Sequence, residues 1–151
     1  RGSDERQYCS PNVNLPIASI MRTKYGEYPE YHTSDDLLGT VVTPAGLTGG
    51  FNALRLALQS LEMNSIPHAV YPCEPQLGRR GLYPLLSQVG AYDKVQVMVD
   101  LLTWSDSNYS LLDISEKLHI PIWELYPTFL LLESHGLVTS THPAVSGPPC
   151  Q

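Results

Sequence analysis

The stretch EYHTSDD, residues 30–36, places a single imidazole, that of His32, between a tyrosine and two carboxylates. A neutral imidazole is a common zinc ligand, and a carboxylate that accepts its second N–H holds it in one orientation. Asp35 and Asp36 are near enough in sequence to do this, or either could cap a following helix. A zinc ion needs three or four ligands, and no second cluster of ligand residues accompanies His32. Taken alone, the stretch favours an ordinary histidine in a polar turn.

Arg79 and Arg80 form a second polar pair, flanked by Gly78 and Gly81. A guanidinium group binds a carboxylate through two parallel hydrogen bonds, so this pair could bind a substrate carboxylate. A loop whose shape is set by the two glycines explains the same residues without any ligand. Both interpretations stay open at this point.

The composition is typical of a globular chain, because 42% of the 151 residues are hydrophobic and 16% are charged. No run of about 18 apolar residues occurs, and the charged first residues are unlike a secretory signal, so no membrane partner is expected. The three cysteines, Cys9, Cys73 and Cys150, form no Cys-x-x-Cys pair, which argues against a disulfide framework and a cysteine zinc site. A reducing, cytoplasmic location is therefore expected.

The elements that must position these side chains are short in the first part of the chain. Residues 15–21, LPIASIM, predict a strand that its proline confines to a strand start or an edge. A threonine followed by proline, then apolar residues at spacings of three and four, predicts a helix over residues 44–62. A short strand is predicted at residues 68–71, followed by an ordered connector over 73–84.

The last part of the chain predicts three helices and a strand, which is the outline of a winged helix-turn-helix. An apolar stripe from Val95 to Leu102 marks the first helix, and Ser110 begins the second as a capping box. The third helix spans about residues 122–135 and ends at Gly136. Residues 137–141 predict the closing strand.

Charge distinguishes a winged helix that binds nucleic acid from one that docks on another protein domain. Residues 93–151 carry only two Lys/Arg against seven Asp/Glu, and the third helix contains neither Lys nor Arg. A recognition helix that binds DNA normally presents cations to phosphates, so nucleic acid is not the expected partner. We expect this acidic and apolar helix, with Pro127 in its first turn, to dock on another protein domain.

Two motifs near the start carry a resemblance: GSDERQY, residues 2–8, is followed by YHTSDD, residues 31–36. The pair resembles the C-terminal part of the co-catalytic zinc exopeptidase fold, which includes bacterial leucyl-type aminopeptidases and the glutaminyl cyclases. On this resemblance His32 matches the last zinc-binding histidine, whereas Asp4 and Asp36 match aspartates that support the metal site without being the main ligands. The resemblance therefore changes the interpretation of His32 from a turn residue to a metal ligand.

A narrower resemblance covers residues 1–142. Glu5 stands where the larger family has a histidine. With the first motif, the strings at 62–64, EMN, and 74–84, EPQLGRRGLYP, are similar to a bacterial group of aminopeptidase-like proteins of unknown function. In that group a small winged-helix domain follows the aminopeptidase-like domain.

The resemblance implies an α/β fold class followed by a winged helix. Residues 1–90 would be the C-terminal portion of an aminopeptidase-like domain, built on a zinc-exopeptidase-like mixed sheet and including the connector loop. Residues 91–142 would form the small winged helix-turn-helix domain, and residues 143–151 a disordered tail.

The implied function is a zinc-dependent aminopeptidase-like hydrolase that acts on N-terminal amino acids or a related small amide. One or two zinc ions are implied for the intact protein. The remaining ligands and the catalytic glutamate of the family lie upstream of the first residue here, so the chain is expected to be a catalytically incomplete fragment that needs the missing N-terminal part of the same protein. A homo-oligomer is compatible with this reading. A non-enzymatic protein-interaction module is the alternative.

Overall fold

The computed structural model describes residues 3–15, 17–83 and 91–143 of the 151-residue chain. It divides into two compact units, residues 1–57 and residues 58–151. The predicted domain boundary after residue 90 adjoins residues 84–90, which lie outside the described residues, and the predicted disordered tail lies almost wholly outside them. The boundaries proposed from the sequence therefore stay predictions.

The first unit consists of short turns between two helices. Helix α1 spans Ser3–Tyr8, and helix α2 spans Pro44–Met63, continuing into the second unit. The Thr43 hydroxyl accepts a hydrogen bond from the Gly46 N–H at 3.1 Å, which caps α2 as its sequence predicts. The prediction of a helix over residues 44–62 is confirmed.

The prediction of a strand over residues 15–21 is wrong for the part of this range that the structure describes. Residue 15 and residues 17–21 have no regular secondary structure. A strand is stable only when its backbone groups pair with another strand, and the described residues of the first unit contain no named strand. The mixed sheet expected for this part of the chain is accordingly not seen among them.

The second unit contains three helices and a two-stranded antiparallel sheet. The helices are α3 (Ala91–Trp104), α4 (Leu111–Leu118) and α5 (Ile122–Ser134). Strands β1 (Ile66–Ala69) and β2 (Val138–Thr141) pair with Ile66 opposite Thr141. Three helices followed by a strand confirm the winged helix-turn-helix predicted from the sequence.

Strand β1 precedes the first of the three helices in the chain, yet it pairs with β2. Its centre also forms an isolated bridge between His68 and Asp106, in the segment that links α3 to α4. The Ala69 N–H donates to the Ser105 carbonyl at 2.7 Å, so β1 lies between that segment and β2. The predicted strand at residues 68–71 is thus present, two residues earlier than expected.

The core of the second unit is made where α3, α4 and α5 pack on one another and on β2. Its buried apolar side chains come from the connector, the three helices and the start of β2: Leu77, Leu82, Met98, Leu101, Leu111, Ile114, Ile122, Leu125, Phe129, Leu132, Leu137 and Val138. Two of these, Leu77 and Leu82, precede α3, so the connector contributes to the core of the winged helix.

Helix α5 contains Pro127 in its second turn, not in the first turn expected from the sequence. Proline has no backbone N–H, so residue 127 cannot donate a hydrogen bond to the carbonyl of Trp123 one turn earlier. The helix nevertheless continues to Ser134 because its buried side chains pack on the core, and Gly136, with φ 65°, ends it. None of the helices in the described ranges is both long and apolar enough to cross a membrane.

Candidate functional site

His32 lies at a turn whose geometry is set by the residue after it. The Thr33 hydroxyl donates to the Glu30 carbonyl at 2.7 Å and accepts from the Asp35 N–H at 3.2 Å. His32 itself has φ 59°, a left-handed conformation that few residues other than glycine adopt. Its side chain is exposed.

The imidazole of His32 is held by an aromatic ring. It stacks on the Tyr31 ring, with centroids 4.1 Å apart and planes 14° from parallel. Tyr31 in turn contacts Tyr25 at 6.2 Å and Tyr28 at 5.6 Å. The stacking limits rotation of the imidazole, and among the residues described, none forms a hydrogen bond with its ring nitrogens.

Asp36 is engaged by a tyrosine. The Tyr28 hydroxyl donates to its Oδ2 atom at 3.2 Å. Desolvation, followed by the negative charge of Asp36 and this hydrogen bond, raises the pKa of Tyr28 above its ordinary value. The structure thus places Asp36 in the same turn region as His32 but pairs it with Tyr28, and the predicted support of the imidazole by Asp36 stays a prediction.

Asp4 is exposed on helix α1. The part of the chain that the structure describes contains no group of three or more His, Cys, Asp or Glu side chains able to hold a metal ion. His32, Asp4 and Asp36 are therefore not assembled into a complete zinc site by these residues alone.

Arg79 and Arg80 lie at the end of a 3₁₀ helix, Leu77–Arg80, that is anchored by the buried Leu77. The Arg80 guanidinium carbon lies 5.0 Å from the centroid of the Tyr71 ring, a cation–π contact. A Cβ atom on Gly78 would come within 2.8 Å of the Tyr83 ring, so a side chain at this position would displace that ring. The packing accounts for the glycine and for Arg80, while a substrate contact by either arginine stays a prediction.

A groove of about 490 Å³ lies between α3 and α5 of the second unit. Val97, Met98, Ile120, Pro127 and Leu131 form its apolar walls. Its polar lining residues are Asp93, Lys94, Glu124 and Thr128. Sequence reasoning missed this groove because Met98 was assigned to the core stripe alone. The available signal was the spacing of residues 124, 127, 128 and 131, which places them on one face of α5.

Two known families match successive parts of the chain. Residues 1–64 match a family described as Domain of unknown function (DUF4910). Residues 65–140, half of the chain, match a family described as winged helix-turn-helix. The second match begins at β1, which agrees with the pairing of β1 and β2 in the structure.

Two matches from Clostridium acetobutylicum, a known protein and a solved structure, are similar to the chain. One, proposed to act in polysaccharide biosynthesis and described as having an aminopeptidase-like domain, is 40% identical over 118 residues, covering 77% of this chain and 27% of the relative. The other, a crystal structure at 2.37 Å of a protein proposed to be a peptidase, matches with a TM-score of 0.76 and 30% identity, covering 93% of this chain and 30% of that one. The chain spans less than a third of the length of either relative.

Proposed function

The chain belongs to the winged helix-turn-helix family through residues 65–140, and we propose that it forms the C-terminal part of a zinc-dependent aminopeptidase-like hydrolase. The single observation that carries the proposal is its 40% identity, over 118 residues, to a protein described as having an aminopeptidase-like domain. The expected substrates are N-terminal amino acids of peptides or a related small amide. The proposed location is cytoplasmic.

The described residues fit one ligand position for zinc. His32 is exposed, stacked on Tyr31, and has no described hydrogen-bond partner at its ring nitrogens, so either nitrogen could bind an ion. Zinc needs three or four ligands, and the described part of this chain offers no cluster that supplies them. We therefore propose that the other ligands come from polypeptide outside these 151 residues, within the same protein.

In this proposal the residues of the chain bind and orient. His32 holds the ion through a ring nitrogen, and the Tyr31 ring restricts the orientation of the imidazole. Asp36 places a negative charge in the same loop, where it stabilises nearby positive charge. Arg79, which is exposed, would bind a substrate carboxylate. Zinc, when bound, polarises a peptide carbonyl and lowers the pKa of a bound water.

The proposal is tested on the full-length protein that contains this sequence and on the 151-residue chain. Zinc content and hydrolysis of aminoacyl amides are measured for both. We expect zinc and activity in the full-length protein, and weak zinc binding without activity in the chain, because a single imidazole does not complete the metal shell. A full-length protein without zinc, inactive on every aminoacyl amide, would contradict the proposal.

A pair of histidine variants locates the metal. His32→Ala should weaken zinc binding by the full-length protein more than the roughly 10- to 100-fold that loss of an outer-shell partner costs. His142→Ala is the matched control, because His142 is also exposed but lies outside the proposed site. Equal zinc affinity in the His32→Ala variant and the parent would remove His32 from the metal site.

A second candidate function is a non-enzymatic protein-interaction module formed by the winged helix. Helix α5 carries three exposed large apolar side chains, Trp123, Leu130 and Leu131, and neither Lys nor Arg. Exposed apolar surface without cations favours a protein partner over nucleic acid. This function is compatible with the first, since a docking domain can serve an enzyme.

A further inference from the structure

We propose that the groove between α3 and α5 binds an amphipathic helical segment of a protein partner, whose apolar side chains enter the groove and whose lysine or arginine side chains face its acidic rim. The proposal deepens the second candidate function above and is independent of zinc and of peptidase activity. It concerns residues 91–104 and 120–131, all within the second unit.

The shape of the groove is the first argument. Two series of side chains form its walls: residues 93, 94, 97 and 98 of α3, and residues 124, 127, 128 and 131 of α5. The second series has the spacing of a single helix face. A volume of about 490 Å³ lies within the range of roughly 300–1,000 Å³ typical of binding clefts, so the groove can receive several apolar side chains of a helix.

The charges identify the partner. Asp93 and Glu124 place two carboxylates on the rim, against one ammonium group from Lys94. Residues 58–151 carry nine Asp/Glu and four Lys/Arg, so the field around the groove is negative as well. A segment with basic side chains beside its apolar face complements this rim, whereas a nucleic acid is repelled by it.

Lys117 is the other cation within residues 93–151. Its ammonium nitrogen lies 4.5 Å from the centroid of the Trp104 ring and 4.3 Å from that of Tyr109, so the side chain is held over two aromatic rings. Lys117 belongs to α4, and it is not among the residues that line the groove.

The test uses the whole 151-residue chain and two synthetic probes, a leucine–lysine amphipathic helical peptide and its leucine–glutamate counterpart. Binding is followed by fluorescence anisotropy, and the contacted amides are mapped by NMR. We expect the leucine–lysine peptide to bind and to shift amides of residues 93–98 and 120–131. Equal binding of the leucine–glutamate peptide, or tighter binding of a DNA duplex, would overturn the proposal.

Two matched pairs of variants locate the site. Glu124→Lys should weaken binding of the leucine–lysine peptide about fivefold or more, the equivalent of one charge interaction, whereas the same change at Glu116, an exposed residue of α4 outside the groove, should not. Leu131→Ala should also weaken it, whereas Leu130→Ala should not, since Leu131 lines the groove and the two side chains are 40% and 43% exposed. Circular dichroism confirms that each variant is folded.

The outcome of the variants decides the proposal. Equal losses in the two members of either pair would show non-specific attraction and contradict it. Dimerisation of the chain that Glu124→Lys abolishes, without peptide binding, would assign the groove to a second copy and likewise overturn it. Loss of zinc or of peptidase activity in the full-length protein would leave these binding results unchanged, so the two proposals fail separately.

Discussion

The Ser110 and Asp113 side chains begin helix α4 with reciprocal hydrogen bonds. The Ser110 hydroxyl oxygen accepts from the Asp113 N–H at 3.3 Å, and Asp113 Oδ2 accepts from the Ser110 N–H at 2.8 Å. Loss of a serine N-cap typically costs about 1 kcal/mol. We expect Ser110→Ala to lower the free energy of unfolding by about that amount, and Ser110→Thr, which keeps the hydroxyl, to preserve most of it. Urea unfolding followed by circular dichroism measures both, and equal stability of the alanine and threonine variants would contradict the assignment.

The same cap predicts that the stability of the fold depends on pH in the acid range. Hydrogen bonds from the Ser110 side chain and backbone lower the pKa of Asp113 below its ordinary value of 3.8. Because the folded pKa is lower than the unfolded one, the ionised carboxylate stabilises the fold fully above the unfolded pKa. That contribution is lost as the pH falls through the folded pKa. Asp113→Asn should therefore flatten the acid side of the stability curve, measured from melting temperatures between pH 7 and about pH 2. An unchanged acid dependence would show that Asp113 contributes nothing to it.

At the scale of single residues, the sequence predicts this cap correctly because all of its atoms lie within four positions of the chain. The candidate zinc ligand is different. The turn around His32 is local and could be anticipated, but a metal shell is assembled from residues distant in sequence. The Tyr31–His32 stacking and the pairing of Tyr28 with Asp36 could not be predicted from the sequence either, since motif spacing does not specify side-chain rotamers.

Helices α4 and α5 are followed by different residue types in the same left-handed conformation. Both are followed by a left-handed residue, His119 with φ 55° after α4 and Gly136 with φ 65° after α5. A Cβ atom on Gly136 would meet nothing within 4 Å, so any cost of Gly136→Ala comes from the backbone conformation. We expect it to cost about 1 kcal/mol, and His119→Gly to be neutral or to stabilise by about 0.5 kcal/mol as strain is relieved. Chemical unfolding of both variants measures this, and a stabilised Gly136→Ala variant would refute the backbone argument.

At the scale of elements, periodicity and capping residues predict the helices well. Helices α2, α4 and α5 begin within a residue of the expected positions, because caps and apolar spacing are properties of the local sequence. Strands are predicted less well. The strand expected at residues 15–21 is not formed, and β1 is displaced by two residues, since its register depends on β2, about 70 residues later in the chain.

At the scale of the whole molecule, apolar surface is distributed unevenly between the two units. None of the described residues up to position 57 is buried, whereas the buried core lies between Leu77 and Val138. Large apolar side chains are exposed along α2: Leu47, Phe51, Leu54, Leu58 and Leu61. Surface of this kind in an isolated chain favours association.

We therefore expect weak amide protection in residues 3–43 and strong protection in α3 and α5. Backbone hydrogen bonds that are solvent-exposed open with little free energy, whereas those covered by a packed core open only on global unfolding. Native-state hydrogen exchange of the dilute 151-residue monomer measures the difference. Protection across residues 3–43 as strong as in α5 would contradict this expectation and show that the first unit is stable without a partner.

The last prediction concerns how much of the chain the winged helix needs. The first two N–H groups of α4 are bound from outside the three helices, by the Ser65 carbonyl at 2.8 Å and the Asn64 side-chain oxygen at 3.1 Å. Removing residues before 91 would leave these donors unpaired, remove β1 from beside β2, and take Leu77 and Leu82 from the core.

Residues 58–151 should therefore unfold in one cooperative transition, whereas residues 91–151 should not form a stable fold at room temperature. Loss of one buried leucine alone typically costs about 2–5 kcal/mol, against a stability of about 5–15 kcal/mol for a whole domain. Thermal unfolding of the two fragments, followed by circular dichroism, measures this. A fragment of residues 91–151 that melts cooperatively at the same temperature as residues 58–151 would show that β1 and the connector are accessory. The longer fragment is the unit of the structure that contains the buried core cluster, so its failure to fold would instead show that it depends on residues 1–57.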